Sequence, residues 1–287
     1  MKSLFSFLTF LIVFGYINTT SFAGDIPENF KKENLIAWCI VPFDSLKRNP
    51  AERASMLVDL GLQRVAYDWR KEHIPEFEEE ILQYKKHGLE YFAFWNEHDE
   101  AFKLFKKHGI RPQIWKTNPS PKEGTQKEKV MKAADILTPL AEKSAKLGSK
   151  FGLYNHGGWG GEPGNMVAVC KELHRRGFKH VGIVYNFHHA HDSMDQFSKV
   201  LHKVKPYLLC LNLNGMIELT GTEQQKRLQK IMPIGAGKYE AAMIQAVVDS
   251  GYKGPVGILG HITTQDVAKS LQNNLDGLDA VMAEIKH

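Results

Sequence analysis

The 287-residue sequence contains little cysteine and no strong excess of one charge. Its three cysteines, Cys39, Cys170 and Cys210, lie in apolar segments without regular spacing, which excludes a redox or zinc-binding cysteine motif. Three buried thiols fit this pattern best, although one disulfide with a free thiol left over is an alternative. The net charge of +5 is spread over helix faces and not gathered in a basic block, which argues against a nucleic-acid partner.

The only long apolar run lies at the N-terminus. Lys2 precedes an almost wholly apolar stretch from Leu4 to Ile17, and small residues follow at Ser21 and Ala23, which is the pattern of a cleavable secretory signal. The run is shorter than the roughly 20 residues that cross a bilayer, so a retained membrane anchor is the weaker alternative. We therefore expect residues 1–23 to be a signal peptide and the mature protein to be periplasmic or extracellular.

From Asn34 onward, short apolar segments alternate with longer amphipathic ones. The strand-like segments are LIAWCIVPF (35–43), RVAYDW (64–69), EYFAFW (90–95), RPQIWK (111–116), KFGLYNH (150–156), HVGIVYNF (180–187), YLLCLNLN (207–214) and PVGILGH (255–261). They are rich in β-branched and aromatic residues, as expected for parallel strands that are covered on both faces. Most of the helical segments between them end on a glycine that suits the left-handed position closing a helix.

Eight strand–helix units without a linker predict a single α/β domain over residues 24–287, a closed (β/α)8 TIM barrel. A doubly wound open sheet is the alternative, and it is disfavoured because no GxGxxG motif follows the first strand.

Polar residues collect at the carboxyl ends of the predicted strands, where barrels of this kind carry their active sites. Because side chains alternate along a strand, residues two apart should point the same way. The residues expected at this opening are Asp68, Lys116, Tyr154, His156, Asn186, His188, Asn212, Asn214 and His261. Each has a simpler structural explanation, such as a loop-capping asparagine or an ion pair of Asp68 with Arg70. Their grouping on one face nevertheless favours a binding or catalytic site.

The segment NHGGWGGEPGN (155–165) is the most glycine-rich loop at this end of the barrel. Its glycines permit close approach of the backbone to a ligand, and Trp159 offers a flat apolar face of the kind that stacks on sugar rings. Glu162 either turns toward the opening or serves as the acidic residue at the start of the next helix.

On these motifs the sequence resembles the sugar phosphate isomerase/epimerase family, whose members have a xylose-isomerase-like TIM barrel. The most specific pieces are LYNHGGWGGEP, VGIVYNFHHAH, LCLNLNGM and GILGHITTQDVAKSLQNNLDGLD. The resemblance implies a divalent metal, held by a Glu after strand 5, an Asp and a His around strand 6, often a His on strand 7, and a Glu on strand 8.

The sequence departs from this ligand set at almost every position. The acidic positions of strands 5, 6 and 8 fall on Tyr154, Asn186 and near Leu259, and the strand-7 signature falls near Asn212 and Asn214. Only His189 clearly remains, and asparagine cannot supply the negative charge that hard cations prefer. We therefore expect either a metal-free pocket or an altered site for zinc or manganese. The residues of the altered site would be His156, His188 or His189, and His261, with Glu162 as an optional further ligand.

The resemblance implies an enzyme that removes a proton next to the carbonyl of a sugar or keto-sugar, with isomerisation, epimerisation or β-elimination as the outcome. In this scheme a histidine of near-neutral pKa takes the proton. The enolate oxygen would be stabilised by Lys116, His156 or a bound cation, and the substrate would be held by Tyr154, Trp159, Asp68 and the three asparagines.

A free or glycosidically linked sugar is a more natural substrate for an exported enzyme than a sugar phosphate. A non-catalytic carbohydrate-binding protein on the same scaffold is the main alternative. A metal-dependent nuclease would need carboxylates and a basic track that the sequence does not show. The oligomeric state is left open.

Overall fold

The computed structural model describes residues 26–285. The predicted signal peptide, residues 1–23, lies outside this range and stays a prediction. Within the range, no helix has the length and apolar character needed to span a membrane.

Eight parallel strands form the centre of the structure. They are β1 (Ile36–Trp38), β2 (Arg64–Tyr67), β3 (Glu90–Trp95), β4 (Gln113–Thr117), β5 (Phe151–Tyr154), β6 (Val181–Asn186), β7 (Leu208–Asn212) and β8 (Val256–Leu259). Each pairs with the next along the chain, and β8 returns to pair with β1 through Ile36 opposite Gly257, so the sheet is a closed barrel. The predicted (β/α)8 barrel is confirmed, and the open sheet is excluded.

Helices cover the outside of the barrel. They are α1 (Pro50–Asp59), α2 (Phe77–Lys86), α3 (Asp99–His108), α4 (Gln126–Leu147), α5 (Gly158–Gly161), α6 (Pro163–Arg175), α7 (Phe197–Val204), α8 (Glu223–Gln229), α9 (Glu240–Asp249) and α10 (Val267–Glu284). Asn49 and Thr125 begin α1 and α4 with reciprocal capping hydrogen bonds. As predicted, α3 and α4 end on the left-handed glycines Gly109 and Gly148.

The strands are shorter at their carboxyl ends than the sequence predicts. β1 stops at Trp38 because Cys39 takes a left-handed backbone conformation with φ 57°, and β3 stops at Trp95 because Asn96 does the same with φ 63°. Non-glycine residues adopt this conformation uncommonly, asparagine more often than most. Several candidate residues, including His156 and His261, therefore lie in loops, where strand alternation does not decide their direction.

The core has two layers. The outer layer lies between the sheet and the helices, and the inner layer fills the barrel with side chains that include Ile36, Trp115 and Val184. The three cysteines are buried free thiols, which confirms the first expectation for them. Gly152 of β5 faces this inner layer, because a Cβ added there would meet Val184 Cγ2 at 2.5 Å and Trp115 Cδ1 at 2.9 Å.

Substitution of Gly152 by alanine should destabilise the protein by about 1–3 kcal/mol, since neither Val184 nor Trp115 can move away in a filled barrel. The measurement is the free energy of unfolding in urea. The matched control is Gly164→Ala on α6, where an added Cβ meets only Lys203 Nζ at 3.9 Å. The control should be neutral or slightly stabilising. Equal stabilities of the two variants would contradict this account of the barrel interior.

Candidate functional site

A cavity of about 90 Å³ opens at the carboxyl end of the barrel, which we call the mouth. Its residues come from the ends of β1, β2, β3 and β5, from the turn after β6 and from the loop after β8. They are Trp38, Cys39, Phe43, Asp68, Arg70, Trp95, Tyr154, His156, His188, His189 and His261. Six of the residues singled out in the sequence, Asp68, Tyr154, His156, His188, His189 and His261, therefore lie together at this opening.

Aromatic side chains form one wall of the cavity. The ring centroid of Trp95 lies 5.7 Å from that of Trp38 and 4.8 Å from that of Tyr154. The indole Nε1 of Trp38 donates a hydrogen bond to the Tyr154 hydroxyl at 3.0 Å. Burial raises the pKa of Tyr154 well above its usual value, so its hydroxyl stays neutral. This wall offers flat apolar faces beside a fixed polar group.

Four imidazoles adjoin this wall in a chain of close contacts, with the His189 ring centroid 5.9 Å from that of Tyr154. The ring centroids of His188 and His189 are 3.7 Å apart, those of His156 and His189 are 4.5 Å apart, and those of His188 and His261 are 5.7 Å apart. His188 is buried, His189 and His261 are partly buried, and His156 is exposed. The cluster therefore runs from the barrel interior to the solvent.

Burial holds the buried imidazoles in their neutral form. It lowers the pKa of His188 well below the usual value, that of His189 to about 3 and that of His261 to about 4, and neighbouring histidines lower each of them further. The expectation of a base with near-neutral pKa is therefore not met by these three residues. They can donate or accept hydrogen bonds, but they carry no charge at neutral pH.

Asp68 is the carboxylate of the cavity. It is only 2% exposed, and burial raises its pKa to about 6. Oδ1 accepts a hydrogen bond from the Val41 N–H at 3.3 Å, whereas Oδ2 is buried and has no hydrogen-bond partner within residues 26–285. No ion pair in this part of the chain joins Asp68 to Arg70. Asp68 therefore keeps one buried carboxyl oxygen beside the cavity without a hydrogen bond from the described residues.

Asn186 and Asn212, which were expected to hold substrate hydroxyls, are buried and do not line the cavity. Asn155 Oδ1 accepts from the backbone N–H and the side-chain amide of Asn186, both at 2.8 Å, and Asn212 Nδ2 donates to Asn186 Oδ1 at 2.6 Å. Asn186 and Asn212 are 0% exposed. The sequence pattern had missed Asn155, which is the residue that completes this network.

Asn214 also has a structural place. Its Nδ2 donates to the carbonyl of Lys230 at 2.9 Å, and its Oδ1 accepts from the N–H of Met232 at 3.4 Å. Both ends of the Asn214 amide thus bond to the backbone of the loop that follows β7. This is the loop-capping role considered as the simpler alternative for Asn214.

Three other candidates lie away from the cavity. Lys116 forms an ion pair with Glu97 at 2.7 Å, so its charge is already compensated. The Trp159 indole donates to Gln126 Oε1 at 3.0 Å. Glu162 is exposed at the start of α6 and makes no side-chain cap there. Any contribution of these three to substrate or metal binding stays a prediction.

Arg70, Phe43, Trp38, Trp95 and Cys39 line the cavity although the sequence pattern had not placed them there. The tryptophans are the last residues of β1 and β3, and the end of a barrel strand was the signal that could have identified them. Arg70 and Phe43 lie further along the loops, where neither register nor spacing locates a side chain.

The cavity does not fit the metal that the family resemblance implies. Tyr154 and Asn186 occupy two of the acidic positions, and the amide oxygen of Asn186 is already bonded to Asn212. In the described part of the chain, no three histidine, cysteine, aspartate or glutamate side chains come together as an ion would require. The histidines of the altered site, His156, His188 or His189, and His261, are not arranged around an ion position in this part of the chain, and the optional ligand Glu162 lies outside the cavity.

Solved structures with the same barrel include several sugar enzymes. The 3-keto-D-glucoside 4-epimerase of E. coli is 16% identical, with a TM-score of 0.64 over 88% of this chain and 100% of that one. The IolI protein with a bound zinc atom is 12% identical (TM-score 0.65; 86% and 98% covered). The probable 3-DHS dehydratase AsbF of Bacillus anthracis is 11% identical (TM-score 0.64; 85% and 98% covered).

These likenesses establish the fold, a xylose-isomerase-like TIM barrel. No protein-family model and no curated protein sequence matches the chain.

The neutral histidines predict a specific pH dependence of stability. The pKa of His261 is about 4 in the folded protein against 6.5 for the ordinary side chain. The stability that depends on a neutral buried His261 ring is therefore fully present above pH 6.5 and is lost as the pH falls toward 4. Between pH 7 and pH 5 the wild type should lose about 2 kcal/mol more unfolding free energy than His261→Gln. Urea unfolding at both pH values tests this, with His202→Gln on the exposed face of α7 as the control. The same loss in all three proteins would count against it.

Proposed function

We propose that the protein is an enzyme that removes a proton next to the carbonyl of a sugar or keto-sugar, and that isomerisation, epimerisation or β-elimination follows. The observation that carries this proposal is the composition of the cavity. A buried carboxyl with a raised pKa, neutral imidazoles and an aromatic wall share one opening at the mouth of the barrel. The similar structures include a keto-sugar epimerase and a dehydratase, which supports the same class of chemistry.

The aromatic wall supplies the binding surface for the sugar. Trp38 and Trp95 present apolar faces to the cavity, and such faces pack against the C–H face of a sugar ring. They take the role that the sequence had suggested for Trp159. If the predicted export occurs, the sugars met by the enzyme would be free or glycosidically linked.

Asp68 is the base in this mechanism. Its carboxylate takes the proton from the carbon next to the carbonyl, the C–H electron pair forms a carbon–carbon double bond, and negative charge develops on the carbonyl oxygen. A carboxyl with a pKa of about 6 is ionised at neutral pH and yet more basic than an ordinary aspartate, which is favourable for this step. Histidines with a pKa of about 3 or 4 are poorer bases.

The neutral imidazoles stabilise the enolate in this proposal. An N–H of His188, His189 or His261 donates a hydrogen bond to the oxygen on which charge develops, as neutral imidazoles can do in dry sites. His156, the exposed member of the cluster, connects the cavity to solvent protons. A proton delivered to the opposite face through His156 gives the epimer, and return of the proton from Asp68 to the neighbouring carbon gives the isomer. Transfer of that proton from Asp68 to a β-hydroxyl group, which leaves as water, gives the elimination product.

The proposal is tested by solvent exchange. Purified protein is incubated with a panel of keto-sugars in D₂O, and deuterium at the carbon next to the carbonyl is measured by NMR. Asp68→Asn should lower the exchange rate by a factor of about 10²–10⁴, because it removes the base without changing the shape of the side chain. Asp192→Asn, an exposed aspartate after the histidine turn, is the matched control and should exchange like the wild type.

Metal dependence is measured in the same assay. Because the donor set does not fit the family's metal, activity should survive dialysis against a chelator. Absence of exchange across the whole panel, before and after addition of divalent metals, would contradict the enzymatic proposal.

A carbohydrate-binding protein without catalysis is the second candidate. The observation in its favour is that two acidic positions of the family carry Tyr154 and Asn186, which are neutral here. It predicts calorimetric binding of sugars that stay unchanged in D₂O, whether or not metals are added.

A further inference from the structure

We infer that the cavity selects a sugar that bears an anionic group, a carboxylate or a phosphate, and that Arg70 binds this group. The inference rests on the proposed function, since it names the substrate class of the same cavity. It would make Arg70 a specificity-determining residue and not a catalytic one.

Arg70 is a cation without an acidic partner in a cavity wall. It lines the cavity, and its Nη1 donates only to the neighbouring Trp69 carbonyl at 2.8 Å. No ion pair of Arg70 occurs within residues 26–285. By contrast, the arginines that do form ion pairs with acidic side chains there are Arg48, Arg53, Arg64, Arg175 and Arg176. Its guanidinium group therefore keeps donors free for a ligand, and its planar fork matches carboxylate and phosphate oxygens.

Two contacts position Arg70, which is exposed at the rim of the cavity. Its guanidinium carbon lies 5.4 Å from the centroid of the Phe43 ring, and that ring lies 3.8 Å from the His261 ring. The backbone N–H of Arg70 donates to His73 Nδ1 at 2.9 Å. One aromatic ring thus links the cation to the imidazole cluster, and a small sugar could reach both groups.

The positive field extends across the mouth. After burial, the Arg70 guanidinium is the largest influence that lowers the pKa of His261. Behind burial and the His156 imidazole, the Lys230 ammonium lowers the pKa of His189. Asn214 fixes the backbone of Lys230 through its carbonyl. Two cations on different loops, Arg70 and Lys230, therefore lower the pKa values of cavity histidines. Asp68 is the carboxylate among the residues that line the cavity.

An alternative role for Arg70 is to compensate the charge of Asp68. The guanidinium does lower the pKa of Asp68, but burial outweighs it and the net pKa is still raised. Arg70 forms no ion pair with Asp68 in the described chain, so this compensation acts at a distance. The two roles differ in one consequence. Binding of the ligand's anionic group by Arg70 gives anionic sugars a higher affinity than neutral ones, whereas compensation of the Asp68 charge does not.

The experiment measures the affinity of matched sugars by calorimetry. The probes are D-glucose, D-glucuronate and D-glucose 6-phosphate, with D-galactose and D-galacturonate as a second pair. The wild type should bind at least one anionic sugar about 10-fold more tightly than its neutral partner. Arg70→Gln should remove this preference, and Arg70→Lys should keep part of it. Arg175→Gln, on the exposed surface of α6, carries the same charge change and should behave like the wild type.

Each outcome decides the inference. A preference for the uronates identifies a carboxylate substrate, and a preference for the phosphate identifies a sugar phosphate; either supports it if Arg70→Gln abolishes the preference. Equal binding of charged and neutral sugars, or a preference that survives in Arg70→Gln, overturns it. If neutral keto-sugars exchange deuterium without any anionic preference, this inference fails and the proposed enzymatic function stands. If no sugar binds or exchanges, both fail.

Discussion

Exclusion of water from titratable side chains is the constraint on which the proposed chemistry of this barrel depends. Burial disfavours the charged form of every group, so it acts in opposite directions on the acid and the imidazoles of the cavity. The pKa of Asp68 is raised to about 6, and that of His261 is lowered to about 4. The order of the two pKa values is thus reversed from that of free aspartate and histidine. A carboxylate becomes the stronger base, and the imidazoles become neutral donors.

The layer behind the cavity explains how the barrel tolerates this arrangement. Asn186 stands where the resemblance would place an acidic ligand, and it bonds to Asn155 after β5 and to Asn212 at the end of β7. Charged side chains at these buried positions would need counter-ions, whereas amides satisfy one another. The asparagine network therefore keeps the strand ends in register without adding charge to the mouth.

The fold was predictable because the information that sets it is repeated. The same strand–helix unit is indicated eight times by an apolar segment, and most of its helices are closed by a glycine such as Gly109 or Gly148. The site was predictable only in part, because alternation predicts the direction of a side chain only for residues within a strand. Cys39 and Asn96 end their strands with left-handed backbone, and no pattern in the sequence announced this.

Contacts between distant segments account for what the sequence left undetermined. The partners of Asn186 and the position of Arg70 depend on which loops meet at the mouth. The direction of the pKa shifts depends on burial. His188 and His189 were recognised as different, but their low pKa values follow first from burial and then from the neighbouring His156 and His261 imidazoles, which a linear sequence does not display.

Direct titration of Asp68 is the measurement that tests this account most closely. The protein is prepared with aspartate labelled with ¹³C at the carboxyl carbon, and the Asp68 signal is assigned by its absence in Asp68→Asn. The account predicts a signal that titrates with a pKa of about 6. A signal that titrates near the ordinary value of 3.8 would show that water reaches the carboxyl group, and it would contradict the central claim that burial prepares Asp68 as the base.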